Sequence, residues 1–447
     1  MQKIVAYLRI HLKNRIFLKS FNELKKNQYL SYVSNQNNQL EKLNKILTHS
    51  YRNIPYYHKL FNDLNLVYNE QVQLNSLDDI QKIPFLTKEI IREEEKDLYA
   101  KDYQKRFSFT NSSGGSTGEP VVFIQDAQYT LSNQLNTQLA YSWRGMTLYD
   151  EMVVLWGAER DIFDGKRSFR SKLEDIYFNR TILNSFSMSE DDMIAYLNIL
   201  NRKKPKLIKA YAQSIYELAK YAKENNIEVK KQKAIHLAAG TVYAFMQELI
   251  EEVFQCKAYN YYGSREVGAI ASECKAQDGL HIMQEHTLLE VINSEGKPCK
   301  VGEEGEIVIT TLESYSMPLI RYKIGDIGIL KKYTSCDCGC TYDKLEKVVG
   351  RTTDLFKTKD GKKIDGEYFT HLFYFAPWIK QFQVIQNCLD EIIIKIVKKS
   401  NVVEADVSDI IQKIRMVMGE ECQVVFQYVE EIPKTVTGKF RYTISNV

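Results

Sequence analysis

No stretch of the 447 residues approaches the roughly 20 consecutive apolar positions that a membrane-spanning helix needs. The opening residues, MQKIVAYLRIHLKNRIFLKSF, carry Lys or Arg within every apolar stretch, which argues against a secretory signal peptide. Without an export signal the eight cysteines are expected to stay reduced, so a cluster of them points to metal rather than to disulfides. Excess charge of one sign is missing as well. Sixty Lys and Arg against 57 Asp and Glu leave a net charge of +3, which is not the basic footprint of a nucleic-acid-binding domain. There is no internal repeat and no low-complexity segment. A Walker-type phosphate loop, which ends in Gly-Lys-Ser/Thr, is also lacking.

What is present suits two or three globular domains, with 44% hydrophobic residues to fill their cores. The N-terminal stretch reads as a basic amphipathic helix, with Ile4, Leu8 and Leu12 on one side and Lys3, Arg9, Lys13 and Lys19 elsewhere. It either packs on the protein or touches a membrane surface. From Glu151 the pattern alternates. Strand-like MVVLW (152–156), PKLIKAY (205–211), AIHLAA (234–239) and AYNYYG (258–263) are separated by helical stretches at 189–200, 214–226 and 244–254, the first with a Ser cap. Such alternation predicts βαβ units and a largely parallel sheet, with ligands at the carboxyl ends of the strands. After His286 the segments LLEVI (288–292), EIVITTL (306–312) and IGILKKY (327–333) predict a β-rich subdomain. Beyond Gly350–Arg351 a small α+β unit is expected. The predicted class is α/β: a large N-terminal domain over 1–350 with mixed and parallel sheet, and a small mobile domain over 351–447.

Five loops stand out. FTNSSGGSTGEPVVF (109–123) packs hydroxyls and glycines ahead of an apolar run; it reads as a linker, a hairpin loop or a cradle for phosphate oxygens. YNYYGSREVG (259–268) ends a strand with Arg265 and Glu266, a carboxylate placed to hold Mg²⁺ or to pair with its neighbour. PLIRYKIGDIG (318–328) offers Asp326 to ribose hydroxyls or forms an ordinary Gly-Asp turn. VVGRTTDLFKTKDGKKID (348–365) and PKTVTGKFR (433–441) complete the set, the last with Lys434, Lys439 and Arg441.

In this order the motifs SSGGSTGEP, YGSRE, RYKIGD, GRTTD and PKTVTGK resemble those of the adenylate-forming, acyl-CoA synthetase-like superfamily. YGSREVG, the run TTLESYSMPLIRYKIGD, the Cys-x-Cys-Gly after it and YRNIPYYHKLF (51–61) are similar to its phenylacetate–CoA ligase branch, with the coenzyme F390 synthetase-like and CapK-like proteins. The resemblance implies ATP-dependent formation of an acyl-adenylate, then acyl transfer after the small domain rotates. It implies that Ser113, Gly115, Ser116, Thr117 and Gly118 cradle the β- and γ-phosphates. Glu266 would bind Mg²⁺, with Tyr262 near the adenine and Tyr261, Gly263 and Ser264 beside it. Ala239, Gly240 and Thr241 would line the adenine through backbone. Asp326, assisted by Arg351, would hold the ribose, Asp354 would be the hinge, and Lys439 would bridge carboxylate and α-phosphate. Glu119, Arg265 and the missing acid in AAGTVY (238–243) depart from the family pattern.

Cys274, His281, Cys336 and Cys338 form a candidate structural zinc set with Cys340 as a spare, since a Cys-x-Cys pair does not form a relaxed disulfide. The scattered Cys256, Cys299, Cys388 and Cys422 read as packing. Trp156, Gly157 and His236 read either as core or as walls of the acyl pocket. The expected substrates are a carboxylic acid, ATP and CoA, in a cytoplasmic setting. The CapK-like resemblance admits another acceptor, an amine or hydroxyl on a surface-polysaccharide sugar, and contact with the inner membrane face. A non-catalytic nucleotide binder of the same fold is disfavoured because Asp326 and Lys439 are both present. A zinc-dependent nucleic-acid binder is disfavoured by the charge balance and the irregular cysteine spacing.

Overall fold

The computed structural model describes residues 15–447 other than 113–120, 157–174, 176–177, 186–187, 239, 241, 352–354, 375–377, 400–406 and 433–441. Three helices come first: α1 (Arg15–Asn27), α2 (Tyr32–Asn53) and α3 (Pro55–Asp63). Ser31 caps α2 by accepting from the Ser34 N–H, and Pro55 opens α3 where a missing N–H costs no helical bond. A hairpin of β1 (Phe109–Ser112) and β2 (Val122–Gln125) leads into α4 (Ala127–Trp143), which Asp126 caps through the Tyr129 N–H at 2.8 Å.

The predicted alternation follows, as β3 (Met152–Leu155), β4 (Arg180–Leu183), α5 (Glu190–Lys203), β5 (Leu207–Tyr211), α6 (Ala212–Glu224), β6 (Ile235–Ala238), α7 (Ala244–Phe254) and β7 (Ala258–Ser264). Ser189 and Asp192 form a reciprocal capping box at the start of α5. Strands β3 to β7 pair in parallel, with β3 between β4 and β5. Alternate residues such as Val153, Ile208, Ile235 and Ala258 are buried in one apolar core with Leu197, Ile215, Leu218, Met246 and Ile250 of the helices.

Six antiparallel strands come next: β8 (Gly268–Glu273), β9 (Leu280–Ile282), β10 (Thr287–Ile292), β11 (Glu304–Thr311), β12 (Tyr322–Leu330) and β13 (Lys344–Arg351). They do not form a sheet of their own. Hydrogen bonding runs through β10-β11-β12-β13-β9-β8-β7-β6-β5-β3-β4, one sheet of 11 strands. The join is β9, three residues long, which pairs with β8 on one side and with the start of β13 on the other. The C-terminal part holds β14 (Leu355–Lys357), β15 (Lys363–Asp365), α8 (Gly366–Tyr374), β16 (Ile379–Cys388), β17 (Glu391–Lys398), α9 (Ser408–Met418), β18 (Gln423–Tyr428) and β19 (Thr443–Ser445). Four of these strands make a second sheet, β18-β17-β16-β19, with a core around Phe369, Val384, Ile394 and Ile414.

This C-terminal part docks on α6 and α7. Lys413 of α9 reaches Glu217 of α6 at 3.1 Å and Asp409 at 3.1 Å, and Lys220 reaches Asp409 at 2.5 Å. Beside the charges, Tyr368 meets Tyr243 edge to face at 5.2 Å between ring centroids. Burial alone would lower the Lys413 ammonium, but Glu217 and Asp409 outweigh it and hold the pKa up.

The N-terminal helix was expected to start near residue 1; the described helix starts at Arg15, with residues 1–14 outside the described set. Its Phe21 and Leu24 are buried against Leu135, Leu139 and Trp143 of α4. Among the described residues no helix is long and apolar enough to cross a membrane.

Candidate nucleotide and metal sites

Among the described residues, the flanks of the loop 113–120 and the motifs YGSRE and RYKIGD meet at the join between the two halves of the sheet. The loop 113–120 lies outside the described residues, but its two flanks are hydrogen-bonded to each other, Ser112 opposite Val122. A hairpin therefore carries it. Gln125, at the foot of that hairpin, donates its Nε2 to the carbonyls of Arg265 at 2.8 Å and Glu266 at 3.2 Å. The first two motifs are thus tied together by side chain to backbone bonds. Glu266, only 9% exposed, sits in the turn between β7 and β8. That turn is tight enough to need Gly263, where an added Cβ would lie 2.7 Å from the Gly268 carbonyl oxygen.

Asp326 stands in a bulge of β12, where Lys323 faces Val308 but Ile327 faces Glu306. Gly325 supplies the left-handed turn, with φ of 88°. Asp326 is 9% exposed and pairs in register with Arg351 at the end of β13. The Tyr262 hydroxyl donates to Asp326 Oδ2 at 2.6 Å. Strands β7 and β12 are separated by β8, β9 and β13, which in a flat sheet would put them about 19 Å apart. The two side chains meet because the sheet curls sharply across the short β9. A motif on the parallel half and a motif on the antiparallel half are thereby brought to one place.

Arg321 in the same RYKIGD motif does something else. It turns inward, nearly fully buried, and binds Glu290 through two bonds of 3.0 and 2.9 Å and the Ile83 carbonyl at 2.6 Å. It fixes β12 against β10 and the segment at 83, and so positions the bulge. Gly240 is described and exposed, with φ of 89°; Ala239 and Thr241 lie outside the described residues, as do Gly157, Glu119, Asp354 and Lys439.

The four residues read as a metal set do meet. Cys274 lies just after β8, His281 on β9, and Cys336 and Cys338 in the loop between β12 and β13. One ligand atom from each lies within 4.8 Å of the others. The Cys274 and Cys336 sulfurs are 3.6 Å apart, and Cys338 Sγ is 3.4 Å from His281 Nε2. A tetrahedral ion with bonds near 2.3 Å to sulfur and 2.0 Å to nitrogen spaces its ligands by about 3.5–3.8 Å, so the set fits a zinc-sized centre. His281 Nδ1 faces the Tyr342 carbonyl at 3.3 Å, which directs Nε2 to the centre. The Ala276 and Cys340 N–H groups donate to the Cys274 and Cys338 sulfurs at 3.4 Å each. Cys340 contributes that N–H and lies outside the set. Of the other four cysteines only Cys422 is buried, and Cys388 is exposed, so packing does not account for all of them.

The chain is similar to known proteins along most of its length. Residues 356–446 match the CapK C-terminal domain. Over 468 aligned positions the chain is 24% identical to protein CapK of Staphylococcus aureus, covering 99% of this chain and 97% of that protein. It is also 24% identical to a phenylacetate–coenzyme A ligase of Thermus thermophilus, covering 90% and 94%. The chain is thus similar over most of its length to CapK and to phenylacetate–coenzyme A ligases. Its fold is that of 2-hydroxyisobutyryl-CoA ligase, solved in the postadenylation state with R3-HIB-AMP: the TM-score is 0.67 at 17% identity, over 94% of this chain and 92% of the other. The CapK match begins one residue after the start of β14, so the second sheet is the part held in common with that domain.

Proposed function

We propose that this chain activates a carboxylic acid with ATP and passes the acyl group to coenzyme A. A carboxylate oxygen attacks the α-phosphorus and pyrophosphate leaves. The CoA thiolate then attacks the acyl carbon, and AMP leaves. The carrying observation is the Tyr262–Asp326 contact across the sheet join, with Arg351 in register and the phosphate-loop hairpin tied to Glu266. Asp326 accepts the ribose hydroxyls, the loop from Ser113 to Gly118 binds the β- and γ-phosphates, and Glu266 is the carboxylate placed to hold Mg²⁺. Bound Mg²⁺ would neutralise charge on the phosphates. Cys274, His281, Cys336 and Cys338 would hold a structural zinc, since four protein ligands would leave no position for substrate. Residues 351–447 act as the mobile domain, with Asp354 as its hinge.

The direct test is ATP–pyrophosphate exchange over a panel of carboxylic acids, followed by product analysis with and without CoA. Acid-dependent exchange with CoA-dependent AMP release supports the reading; no exchange with any acid overturns it. A CoA-independent acylated sugar would instead favour the surface-polysaccharide acceptor, a second reading supported by the match to the CapK C-terminal domain.

Two substitutions probe parts of the proposal. Asp326→Ala removes a charge-assisted acceptor for the ribose and is expected to raise KM for ATP by about 10–100-fold, since such bonds contribute roughly 1.5–3 kcal/mol. Tyr262→Phe keeps the carboxylate and should give a smaller rise, and equal effects from both would sink the ribose assignment. Lys413→Glu places three carboxylates together at the docking surface of α6 and α9. It should release the C-terminal domain and change the ratio of pyrophosphate exchange to thioester formation. An unchanged ratio would mean that this docked arrangement is not one of the working states.

A further inference from the structure

The parallel half of the sheet has one apolar face and one that is not. Val153, Ile208, Ala210, Ile235 and Leu237 point into the core shared with α5, α6 and α7. The residues between them face α4. At the amino ends of the strands this second face is closed by Met152, Leu207 and Tyr259 against Tyr141 and Met146. Its character changes along the register line of Val154, Lys209, His236 and Tyr259. Lys209 on β5 is in register with His236 on β6. The Lys209 ammonium lies 4.9 Å above the centroid of the Trp156 ring, and that ring stacks on Tyr211 at 3.9 Å.

His236 is fully buried between Tyr141, at 5.1 Å between centroids, and Tyr261, at 4.5 Å. Among the described residues neither of its nitrogens has a hydrogen-bond partner. A buried polar group without a partner costs roughly 1–3 kcal/mol, and a neutral imidazole offers one donor and one acceptor to whatever satisfies it. Arg144, at the end of α4, adds buried positive charge. Its guanidinium lies over the Tyr259 ring at 5.1 Å and donates to Ser272 Oγ at 2.6 Å, and its Nε has no partner among the described residues. Among the described residues no carboxylate forms an ion pair with Lys209 or with Arg144. Burial, reinforced by Arg144 and Lys209, holds the His236 imidazole well below its usual pKa, hence neutral.

Glu273 acts on the Arg144 charge, which leaves Lys209 as the cation without a carboxylate among the described residues. It lies against the stacked pair of Trp156 and Tyr211, at the carboxyl ends of β3 and β5, and α/β sheets bind ligands beyond such ends. Aromatic rings flank both Lys209 and His236, and rings with a few polar groups are the usual lining of small-molecule sites. We propose that Lys209, with His236 and the rings of Trp156 and Tyr211, recognises the far end of the acyl group, and that the acid substrate carries a second carboxylate there. This rests on the acid-activation reading above and narrows it to dicarboxylic acids. The ammonium would pair with the distal carboxylate, while the buried neutral His236 beside it sets the Lys209 side chain against the aromatic rings. A lysine on a strand otherwise filled with apolar residues is then a specificity-determining group.

The test uses the full chain and acids in matched pairs that differ only in the distal carboxylate: a straight-chain series of monoacids and α,ω-diacids, and phenylacetate against 4-carboxyphenylacetate. ATP–pyrophosphate exchange should favour the diacid of the best pair by at least about 30-fold in kcat/KM, the scale on which a polar site rejects a ligand lacking its partner group. Lys209→Met should cost that diacid at least about 10-fold, mostly in KM, and leave the monoacid unchanged or improved. Lys209→Arg should retain the preference. Thermal shift gives a second readout, with the diacid stabilising the wild type and not Lys209→Met. A preference for monoacids, or an equal loss of both pair members in Lys209→Met, overturns the dicarboxylate inference while leaving acid activation standing. Exchange with neither member of any pair overturns acid activation itself, and the inference with it.

Discussion

Lys439→Ala should abolish measurable acid-dependent pyrophosphate exchange, with a fall of about 10³-fold, while KM for ATP changes by less than about threefold. The reasoning starts from charge. In the first step a carboxylate approaches a polyphosphate, so an anion must attack an anion. The transition state gathers negative charge on the α-phosphate oxygens as the oxygen–phosphorus bond forms and pyrophosphate departs. A single ammonium placed between nucleophile and phosphate meets that charge only there, and loss of one such donor typically costs about 3–4 kcal/mol of transition-state stabilisation. In the proposed assignment, ATP binding in the ground state would be carried by the phosphate loop, Asp326 and Glu266, none of which the substitution changes. Lys439 itself lies outside the described residues, but its segment is held at both ends. Ile432 is buried before it, and after it β19 pairs in parallel with β16, Val384 opposite Thr443. Lys434 in the same segment is the control: Lys434→Ala should retain exchange within about threefold. A chemically prepared acyl-adenylate should still be turned over with CoA by the Lys439 variant, because in that step no new phosphorus bond forms. Exchange within about tenfold of the wild type would remove Lys439 from the role.

The repeating part of the fold was legible because its period is local. Apolar runs of four or five residues at 152, 207, 235 and 258, separated by capped amphipathic stretches, led to strands and helices placed within a few residues of those observed. The metal set was legible for a similar reason: reduced thiols with one histidine have few other uses, and their coming together needed no knowledge of the path between them. The join was not legible. No local pattern says that a strand of three residues will link β13 to β8, or that the antiparallel strands will continue the parallel sheet. Pairing between distant strands is decided by tertiary packing, here a core in which Ile270, Ile282 and Leu345 of the joining strands lie with Leu43, Phe61 and Tyr322. Arg321 was hidden by its company, since an arginine beside a nucleotide motif reads as a ligand-binding charge. The carboxylate that captures it, Glu290, is 31 residues away. Lys209 left a faint signal, a cation at an alternate position of LIKAY. Its meaning depends on which face α4 covers, and that is not written in the strand.

Removing the metal should weaken two things at once, the fold and the nucleotide site. The purified protein is expected to carry zinc near one equivalent per chain; Cys336→Ser should lose most of it and Cys340→Ser should keep it. His281 belongs to β9, which alone bridges the two halves of the sheet, while Cys274 follows β8 and Cys336 and Cys338 precede β13. An ion held by all four would pin the strands on either side of the join. Without it, three thiols and an imidazole are left close together, the first two largely buried, and burial pushes the Cys274 and Cys336 thiols up in pKa. For Cys274 the bond to Cys338 adds to burial and is the larger cause, taking the thiol to about 11. Metal binding releases those protons, so the site should load less well as the pH falls. Loss of a ligand in such a site is expected to remove several kcal/mol, which for a domain of this size is a fall in Tm of about 10 °C. The same join holds Tyr262 against Asp326, so the metal-depleted protein should also show a raised KM for ATP even at temperatures where it stays folded. A variant without zinc that keeps both its Tm and its KM would show that the cluster is not what holds the join. Zinc retained in Cys336→Ser but lost in Cys340→Ser would show that the fourth ligand is Cys340.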